Sequence, residues 1–369
     1  MASMEMPPLT RVVAALPPSI PFVGPEALTR ATGVAFRARL GANESVFGPS
    51  PLAVAAIAAA GPDGWMYGDS ECHELRTALA AHHGVERANI VCGVGIDGVL
   101  GTAVRLFVEP GTPVVASHGG YPTFAFHVRA AGGVLHEVPY RDDREDLDAL
   151  AERAHAEHAR VVYVTNPDNP MGTWWTAAEL ARFRASLPAD TLLCLDEAYA
   201  DTAPPHAVPP LEMADGGVLR FRTFSKAYGL AGLRVGYALG RADAIAAFDR
   251  IRDHFGVGRV AQAAALAALG DQTYLAEVVR QIAAGRDRIA QIALANGLGP
   301  IGSAANFVTV DLGRDGDHAR AVLQELGRRG LFLRMPGVAP LDRCIRFGVG
   351  LPAELDVLEH ELPAAISAV

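Results

Sequence analysis

The sequence has almost no lysine. Its 32 basic residues are 31 arginines and one lysine, Lys226. Arginine performs ion pairing and phosphate binding as well as lysine does, so these functions do not explain a single retained amine. An amine, unlike a guanidinium, can lose its proton near neutral pH and attack a carbonyl group to form a Schiff base. A composition biased against lysine could also leave one by chance, so the neighbours of Lys226 decide whether it is a nucleophile.

Other features that are scarce exclude several classes of protein. The sequence has no apolar run of transmembrane length and no signal-peptide pattern at its start, so we expect a cytoplasmic protein that does not bind membranes. The net charge of -9 argues against a nucleic-acid partner. The four cysteines are scattered and the 12 histidines form no known metal-binding motif, so we predict no metal site.

The middle of the chain alternates between helical stretches and short apolar runs. The runs rich in valine and leucine are residues 113–116, 134–138, 161–164, 192–195 and 218–224. Strands buried on both faces and separated by helices predict an α/β fold with a mostly parallel sheet flanked by helices. We predict this large domain over residues 46–240 and a smaller α+β domain over 241–369. Residues 1–45 would be an N-terminal arm belonging to the small domain, and the many prolines before residue 36 predict that it is extended.

Three of the predicted strands end in polar residues. Asn169 follows one of them, Asp196 the next, and Lys226 the last. The carboxyl ends of parallel strands lie along one edge of a sheet, where ligands bind, so an amide, a carboxylate and an amine would meet there. Each residue also has a purely structural explanation, because Asn169 lies in a turn sequence and Asp196 could cap a helix. Three such coincidences together are improbable.

A glycine-rich stretch before a predicted helix indicates a phosphate site. Gly93, Gly95 and Gly98 match G-x-G-x-x-G, but no acidic residue follows at the distance that a dinucleotide site requires. Backbone N–H groups at the start of the helix could instead hold one phosphate, with Arg234 supplying a positive charge. A phosphate, a lysine that attacks carbonyl groups and an aspartate at a strand end together indicate pyridoxal phosphate as the cofactor.

The order of the motifs carries a family resemblance. The strings N-P-D-N-P-x-G, D-E-A-Y and T-F-S-K-A-Y-G-L-A-G-L-R-V-G-Y resemble those of the class I/II aminotransferases of fold type I, which depend on pyridoxal phosphate. The chain looks most like the histidinol-phosphate aminotransferase branch, with which it also shares L-x-A-N-E and F-G-P-S-P in residues 40–51 and A-N-F at 305–307. The resemblance covers almost the whole chain.

The resemblance implies a role for each of several side chains. Lys226 would form the Schiff base with the cofactor, Asp196 would pair with its pyridine nitrogen, and Tyr199 would act beside Asn169 at its phenolic oxygen. The phosphate would be held by Gly95, Ile96, Asp97, Thr223, Ser225 and Arg234, and Phe124 would stack on the ring. Tyr67 would reach the phosphate of a partner subunit, which implies a homodimer with shared active sites. The substrate would contact Arg346, Arg334, Asn43 and Phe22.

The implied reaction is transamination by a ping-pong mechanism between an amino donor and a 2-oxo acid. The donor stays open between histidinol phosphate and an amino acid, because Phe22 lacks the hydroxyl that the branch usually provides near this position. Another pyridoxal-phosphate reaction on the same fold, such as decarboxylation of an amino acid phosphate or β-elimination, is the alternative. A cofactor-sensing regulator and a dehydrogenase are disfavoured, the first by the acidic net charge and the second by the missing acidic residue.

Overall fold

A computed structural model describes residues 6–17 and 23–369 of the chain. The strands of the described residues are β1 (Ala38–Arg39), β2 (Ile90–Val94), β3 (Pro113–Ser117), β4 (Val134–Val138), β5 (Val161–Thr165), β6 (Leu192–Asp196), β7 (Val218–Thr223), β8 (Val235–Leu239), β9 (Gly299–Pro300), β10 (Phe307–Asp311), β11 (Leu331–Phe332) and β12 (Cys344–Gly348). The α-helices are α1 (Arg11–Ala14), α2 (Pro25–Thr32), α3 (Pro51–Ala60), α4 (His73–His83), α5 (Gly95–Phe107), α6 (Pro122–Ala130), α7 (Leu147–Ala156), α8 (Ala177–Ser186), α9 (Ala242–Phe248), α10 (Arg259–Gly270), α11 (Gln272–Ala295), α12 (Gly316–Arg328) and α13 (Pro352–Ser367).

The largest sheet has seven strands in the order β2-β8-β7-β6-β5-β3-β4. Five neighbouring strands, β7, β6, β5, β3 and β4, run parallel, whereas β8 is antiparallel to both β7 and β2. The predicted mostly parallel sheet is therefore confirmed, and its predicted strands are present within two residues at each end. Strands β2 and β8 were not predicted, because their residues were assigned to the glycine-rich stretch and to the lysine motif.

Alternating side chains along the central strands fill two separate cores. Val161 and Tyr163 of β5 pack with Phe124 and the residues of α5, whereas Val162 and Val164 pack against α7 and α8 on the opposite face. Because both faces of β5 are covered by helices, its apolar side chains point to both sides of the sheet, which is what made it recognisable in the sequence.

The C-terminal part builds another core around β10, which pairs antiparallel with β9 and β12. Residues of α11, α12 and α13 pack here, together with Ala38 and Leu40 from the N-terminal side. Helices α9 and α10 follow the predicted boundary at residue 240, yet they pack in clusters with strands of the large sheet. The division into 1–45, 46–240 and 241–369 stays a prediction.

The predicted extended arm needs a correction. Residues 25–32 form helix α2, with Pro25 at its first position and Gly33 closing it at a φ of 73°. Proline fits the first turn of a helix because its missing N–H needs no partner there, and glycine accepts the left-handed conformation that ends one. Within residues 6–17 and 23–369, no helix is both long and apolar enough to cross a membrane.

Candidate active site

Three neighbouring strands deliver the polar side chains to one cavity. Strand register places Asp196 of β6 beside Thr165 of β5 and beside Phe221 of β7. The chain continues past these strand ends to Asn169 and Lys226, and Asn169, Asp196 and Lys226 all line the same cavity. The predicted meeting of an amide, a carboxylate and an amine at one sheet edge is what the structure has.

Lys226 lies half-buried between the large sheet and the segment that follows β1. Its Nζ donates a hydrogen bond to the backbone oxygen of Asn43 at 3.1 Å and lies 5.4 Å from the centre of the Tyr199 ring. The Tyr199 hydroxyl in turn accepts a hydrogen bond of 2.9 Å from Asn43 Nδ2. Asn43 therefore connects the Lys226 amine to the Tyr199 side chain.

Asp196 is a buried carboxyl group, only 4% exposed. Its Oδ2 accepts a hydrogen bond from the Tyr163 hydroxyl at 2.7 Å, and its Oδ1 accepts one from the backbone N–H of Ala198 at 2.9 Å. Both donors are neutral. Burial raises the pKa of Asp196 to about 6, although these hydrogen bonds oppose the shift. The carboxylate is thus poised to gain from a cationic partner.

A second group of side chains forms a cradle at the start of α5. The guanidinium of Arg234 donates to the Ser225 hydroxyl at 3.3 Å and reaches Asp97 at 3.4 Å, and the hydroxyls of Thr223 and Ser225 lie 2.9 Å apart. Ile96, Asp97, Thr223, Ser225 and Arg234 all line the cavity that contains Lys226. Helix N-termini, hydroxyls and a guanidinium are the donors that proteins use to bind phosphate.

Two glycines keep this cradle open. A Cβ on Gly95, which has a φ of 66°, would lie 2.4 Å from the Arg234 guanidinium. A Cβ on Gly236 would lie 2.5 Å from the backbone nitrogen of Ile96. The close approach of β8 to the start of α5 therefore requires glycine at both positions.

Arg346 enters the wider mouth of the cavity from β12. Its Nη1 donates to Asn169 Oδ1 at 2.5 Å and its Nη2 donates to the backbone oxygen of Gly41 at 3.1 Å, while its buried Nε has no hydrogen-bond partner in the described residues. Burial lowers the pKa of Arg346 to about 10, so the group remains cationic at neutral pH. Arg334 lines the same mouth and donates to the backbone oxygen of Val23 at 3.0 Å.

The prediction for Phe124 needs a correction. Its side chain is 1% exposed and stacks on the Tyr163 ring, with centroids 4.1 Å apart and planes 7° from parallel. Tyr121, three residues earlier, lines the cavity instead and donates a hydrogen bond to Asp97 at 2.7 Å. Helix α6 begins at Pro122, so Tyr121 precedes the helix at the cavity whereas Phe124 points into the core.

Two predicted residues lie away from the cavity or outside the described chain. Tyr67 is 77% exposed and packs against Phe255, with ring centroids 4.8 Å apart. Phe22 falls outside the described residues.

Sequence reasoning missed Tyr121, Tyr163 and Asn306. Tyr163 is the one residue with a polar aromatic side chain in an otherwise aliphatic strand, and a buried tyrosine hydroxyl usually needs a partner, which could have marked it. Asn306 donates to the backbone oxygens of Asn43 and Glu44 at 3.1 and 3.3 Å, so it supports the loop that contacts Lys226. Its only signal was its place in the A-N-F motif.

The donor set fits pyridoxal phosphate. The cradle offers N–H, hydroxyl and guanidinium donors to a phosphate, and Asp196 has no cation hydrogen-bonded to it among the described residues. Among the described residues, Asn43 Oδ1 is also buried and has no hydrogen-bond partner. Lys226 supplies the only side-chain amine. Among the described residues, no three His, Cys, Asp or Glu side chains are grouped as they would be around a metal ion.

Comparisons with known proteins agree with this geometry. Residues 38–360 match the family described as aminotransferase class I and II. A histidinol-phosphate aminotransferase from Rhodospirillum centenum is 38% identical over 356 residues, which cover 93% of this chain and 94% of that protein. One from Moorella thermoacetica is 34% identical over 349 residues, which cover 94% of this chain and 89% of that protein.

A solved structure of a related enzyme also resembles this chain. The crystal structure of histidinol-phosphate aminotransferase from Sinorhizobium meliloti in complex with pyridoxal-5'-phosphate has 52% sequence identity to this chain and a TM-score of 0.96, and the match covers 99% of both chains. The predicted fold type, cofactor and transamination activity are confirmed. The chain belongs to the class I and II aminotransferases and is an enzyme that uses pyridoxal phosphate to transfer amino groups.

Proposed function

We propose that this aminotransferase takes its amino group from histidinol phosphate and passes it to a 2-oxo acid by a ping-pong mechanism. The observation that carries the proposal is the half-buried guanidinium of Arg346, whose Nε is fully buried. Its two terminal nitrogens bind neutral oxygens, and its Nε lacks a partner in the described residues. A cation that is partly removed from water and bound only to neutral groups is stabilised by an anionic ligand.

Arg334 makes this mouth more positive. Both arginines line it, and their backbones are joined by a hydrogen bond of 2.7 Å from Arg346 N–H to Arg334 oxygen. A guanidinium binds a phosphate or a carboxylate with two parallel hydrogen bonds, so the site suits both the phosphate of histidinol phosphate and the carboxylate of a 2-oxo acid. The names of the relatives from Rhodospirillum centenum and Moorella thermoacetica support the phosphate-bearing donor.

When bound, pyridoxal phosphate supplies an aldehyde that condenses with amines and a ring that accepts electrons from the substrate's α-carbon. We propose that Asp196 stabilises positive charge at the ring nitrogen and that Thr223, Ser225, Arg234 and the N-terminus of α5 hold the phosphate. Tyr199 and Asn169 would contact the ring's phenolic oxygen. Lys226 would remove the proton from the α-carbon of the amino donor as a general base and deliver it, as a general acid, to the carbon that was the cofactor's aldehyde; the half-reaction with the 2-oxo acid would run the same transfer in reverse.

The donor can be identified from single half-reactions. Holoenzyme would be mixed with histidinol phosphate, with histidinol, which lacks the phosphate, and with histidine, aromatic and acidic amino acids, and the cofactor absorbance followed. We expect histidinol phosphate to react with the highest kcat/KM, and a 2-oxo acid to restore the original spectrum. A faster reaction with an amino acid would replace the proposed donor. Release of carbon dioxide without recovery by the oxo acid would indicate the alternative chemistry.

We further propose a cytoplasmic homodimer with shared active sites, in which Tyr67 contacts the cofactor phosphate of the partner subunit. Exposed aromatic side chains support the dimer: Tyr67 is 77% exposed and packs against Phe255, which is 52% exposed, and nearby Trp65 is 82% exposed. Sedimentation should give twice the mass of the chain, and cell fractionation should recover the protein with cytoplasmic enzymes.

Mixing and reassembling inactive Lys226→Ala and Tyr67→Ala chains should restore activity, because one site of each hybrid would be intact. Monomers, or hybrids without activity, would contradict the proposal.

A further inference from the structure

Tyr163 contacts the carboxylate on which the cofactor chemistry depends, from the neighbouring strand. Its partner in register on β6 is Cys194, two residues before Asp196. Residues two apart share a face of a strand, so Tyr163 and Asp196 lie diagonally on the same side of the sheet. The hydroxyl reaches Asp196 Oδ2 at 2.7 Å.

The tyrosine ring is held in place by its own packing. Tyr163 is 2% exposed, and the Phe124 ring stacks on it almost in parallel at 4.1 Å. The other carboxylate oxygen is fixed by the backbone N–H of Ala198. Tyr163 and Ala198 thus hold one carboxylate oxygen of Asp196 each, which restricts the rotation of a side chain that is otherwise free to turn.

We propose that Tyr163 is a positioning residue, which orients the Asp196 carboxylate toward the ring nitrogen of the cofactor and keeps it ionised. Phe124 serves this role indirectly by fixing the tyrosine ring. The inference rests on the proposed role of Asp196 and adds to it the reason why an isolated buried carboxylate stays charged.

Electrostatics agree with the geometry. The hydrogen bond from Tyr163 lowers the pKa of Asp196 against the larger effect of burial. Among the other ionisable groups, Asp97 of α5 raises the pKa of Asp196 and Lys226, beyond β7, lowers it. The side chains of Tyr121, Cys194 and Glu145 also face this carboxyl, and burial together with its negative charge raises the pKa of each. Burial and the nearby Asp196 raise the pKa of Tyr163, so the hydroxyl keeps its proton and remains a donor.

The test removes the hydroxyl and keeps the ring. In Tyr163→Phe we expect the dissociation constant of pyridoxal phosphate from the apoprotein at pH 8 to rise about tenfold, the effect of losing one hydrogen bond to a charged group. The pH midpoint of cofactor binding should shift upward, and kcat should fall while KM for the amino donor stays unchanged.

Tyr237→Phe is the matched control. That hydroxyl is also buried, but it is 2.9 Å from His83 Nε2 and does not contact Asp196. We expect the control to leave cofactor affinity and its pH midpoint unchanged. Equal affinity and midpoint in Tyr163→Phe and Tyr237→Phe would overturn the proposal.

Two further variants separate the possible failures. Phe124→Leu keeps the hydroxyl but loosens the ring, so it should weaken cofactor binding by a smaller factor, and it serves as the test if Tyr163→Phe does not fold. Asp196→Asn must weaken binding more than either. If it does not, the proposed role of Asp196 is wrong; if only Tyr163→Phe and Phe124→Leu match the wild type, the positioning role alone is wrong.

Discussion

The two faces of the sheet at the end of β6 treat adjacent buried carboxylates in opposite ways. On the face away from the cavity, Glu197 accepts hydrogen bonds from Arg220 at 2.5 and 3.0 Å and from Arg222 at 3.0 Å. On the cavity face, Asp196 receives hydrogen bonds only from a hydroxyl and a backbone N–H in the described chain.

The pKa values follow this difference. Although burial alone would raise the pKa of Glu197, Arg222 and Arg220 hold it below its ordinary value. Burial raises the pKa of Asp196 to about 6. The negative charge of Glu197 is therefore neutralised by arginines within the fold. The negative charge of Asp196 has no such partner in the described chain and is left to bind a cationic ligand.

The largest expected effect is at the amine on the cavity face. Lys226→Arg retains the positive charge but has no group that can attack an aldehyde or transfer a proton near neutral pH. We expect no measurable turnover, a loss beyond the roughly 10²–10⁴-fold of general acid-base catalysis alone. Stopped-flow absorbance of the half-reaction measures this, with circular dichroism to show that the variant folds. Turnover near that of the wild type would contradict the covalent role.

Asp196→Asn should lower kcat by about 10²–10³-fold, the effect expected for removing one preorganised electrostatic partner. An amide has nearly the same shape: its oxygen can accept from the Ala198 N–H and its NH2 group can donate to the Tyr163 hydroxyl oxygen, so the protein should fold. Glu197→Gln, one residue away, is the matched control. We expect its folded fraction to retain the wild-type kcat. An equal fall of kcat in the two variants would show that the two faces of the sheet do not differ in their contribution to catalysis.

In stability the order of the two variants should reverse. Glu197→Gln leaves Arg220 and Arg222 buried beside a neutral amide, and breaking a buried ion pair costs about 3–5 kcal/mol. Urea unfolding of the apoproteins at pH 8 would measure the loss. A Glu197→Gln protein as stable as the wild type would show that these arginines do not depend on the carboxylate.

The smallest effect is a pH-dependent gain of stability in apoprotein Asp196→Asn. The carboxyl has an ordinary pKa of 3.8 and a folded-state pKa of about 6, so the native state holds the proton more tightly. Its stabilising contribution is complete below about pH 4 and is lost as the pH rises through 6. At pH 8 the variant should be more stable than wild-type apoprotein by up to about 3 kcal/mol, and by nothing near pH 4. An equal difference at both pH values would show that packing, not charge, is responsible.

The sequence predicted the cavity face well because its residues lie at or just beyond the ends of strands that are rich in valine and leucine. Asp196 is the last residue of β6, and Asn169 and Lys226 follow the ends of β5 and β7 within a few residues, so the parallel sheet brings them together without further information. The contact between Asn169 and Arg346 joins residues 177 positions apart in different cores, and no local pattern predicts such a contact.

The sequence also did not show which of two nearby residues faces the cavity. Whether Tyr121 or Phe124 faces the cavity depends on where α6 begins, and helix ends are poorly determined by composition. Strand β8 was not predicted because its residues were assigned to the lysine motif, and its antiparallel direction depends on the path of the chain after Lys226, which side-chain type does not reveal. Proline content predicted an extended arm, but Pro25 at a first helical position starts α2 instead.

Borohydride reduction tests the central claim most directly. Apoprotein would be incubated with pyridoxal phosphate, reduced, digested and mapped by mass spectrometry, with Asp196→Asn and Glu197→Gln treated in parallel. We predict that the wild type carries one phosphopyridoxyl group on Lys226 and that, at limiting cofactor, labelling falls in Asp196→Asn but not in Glu197→Gln. An unlabelled Lys226 in the wild type, or equal labelling in the two variants, would contradict the account.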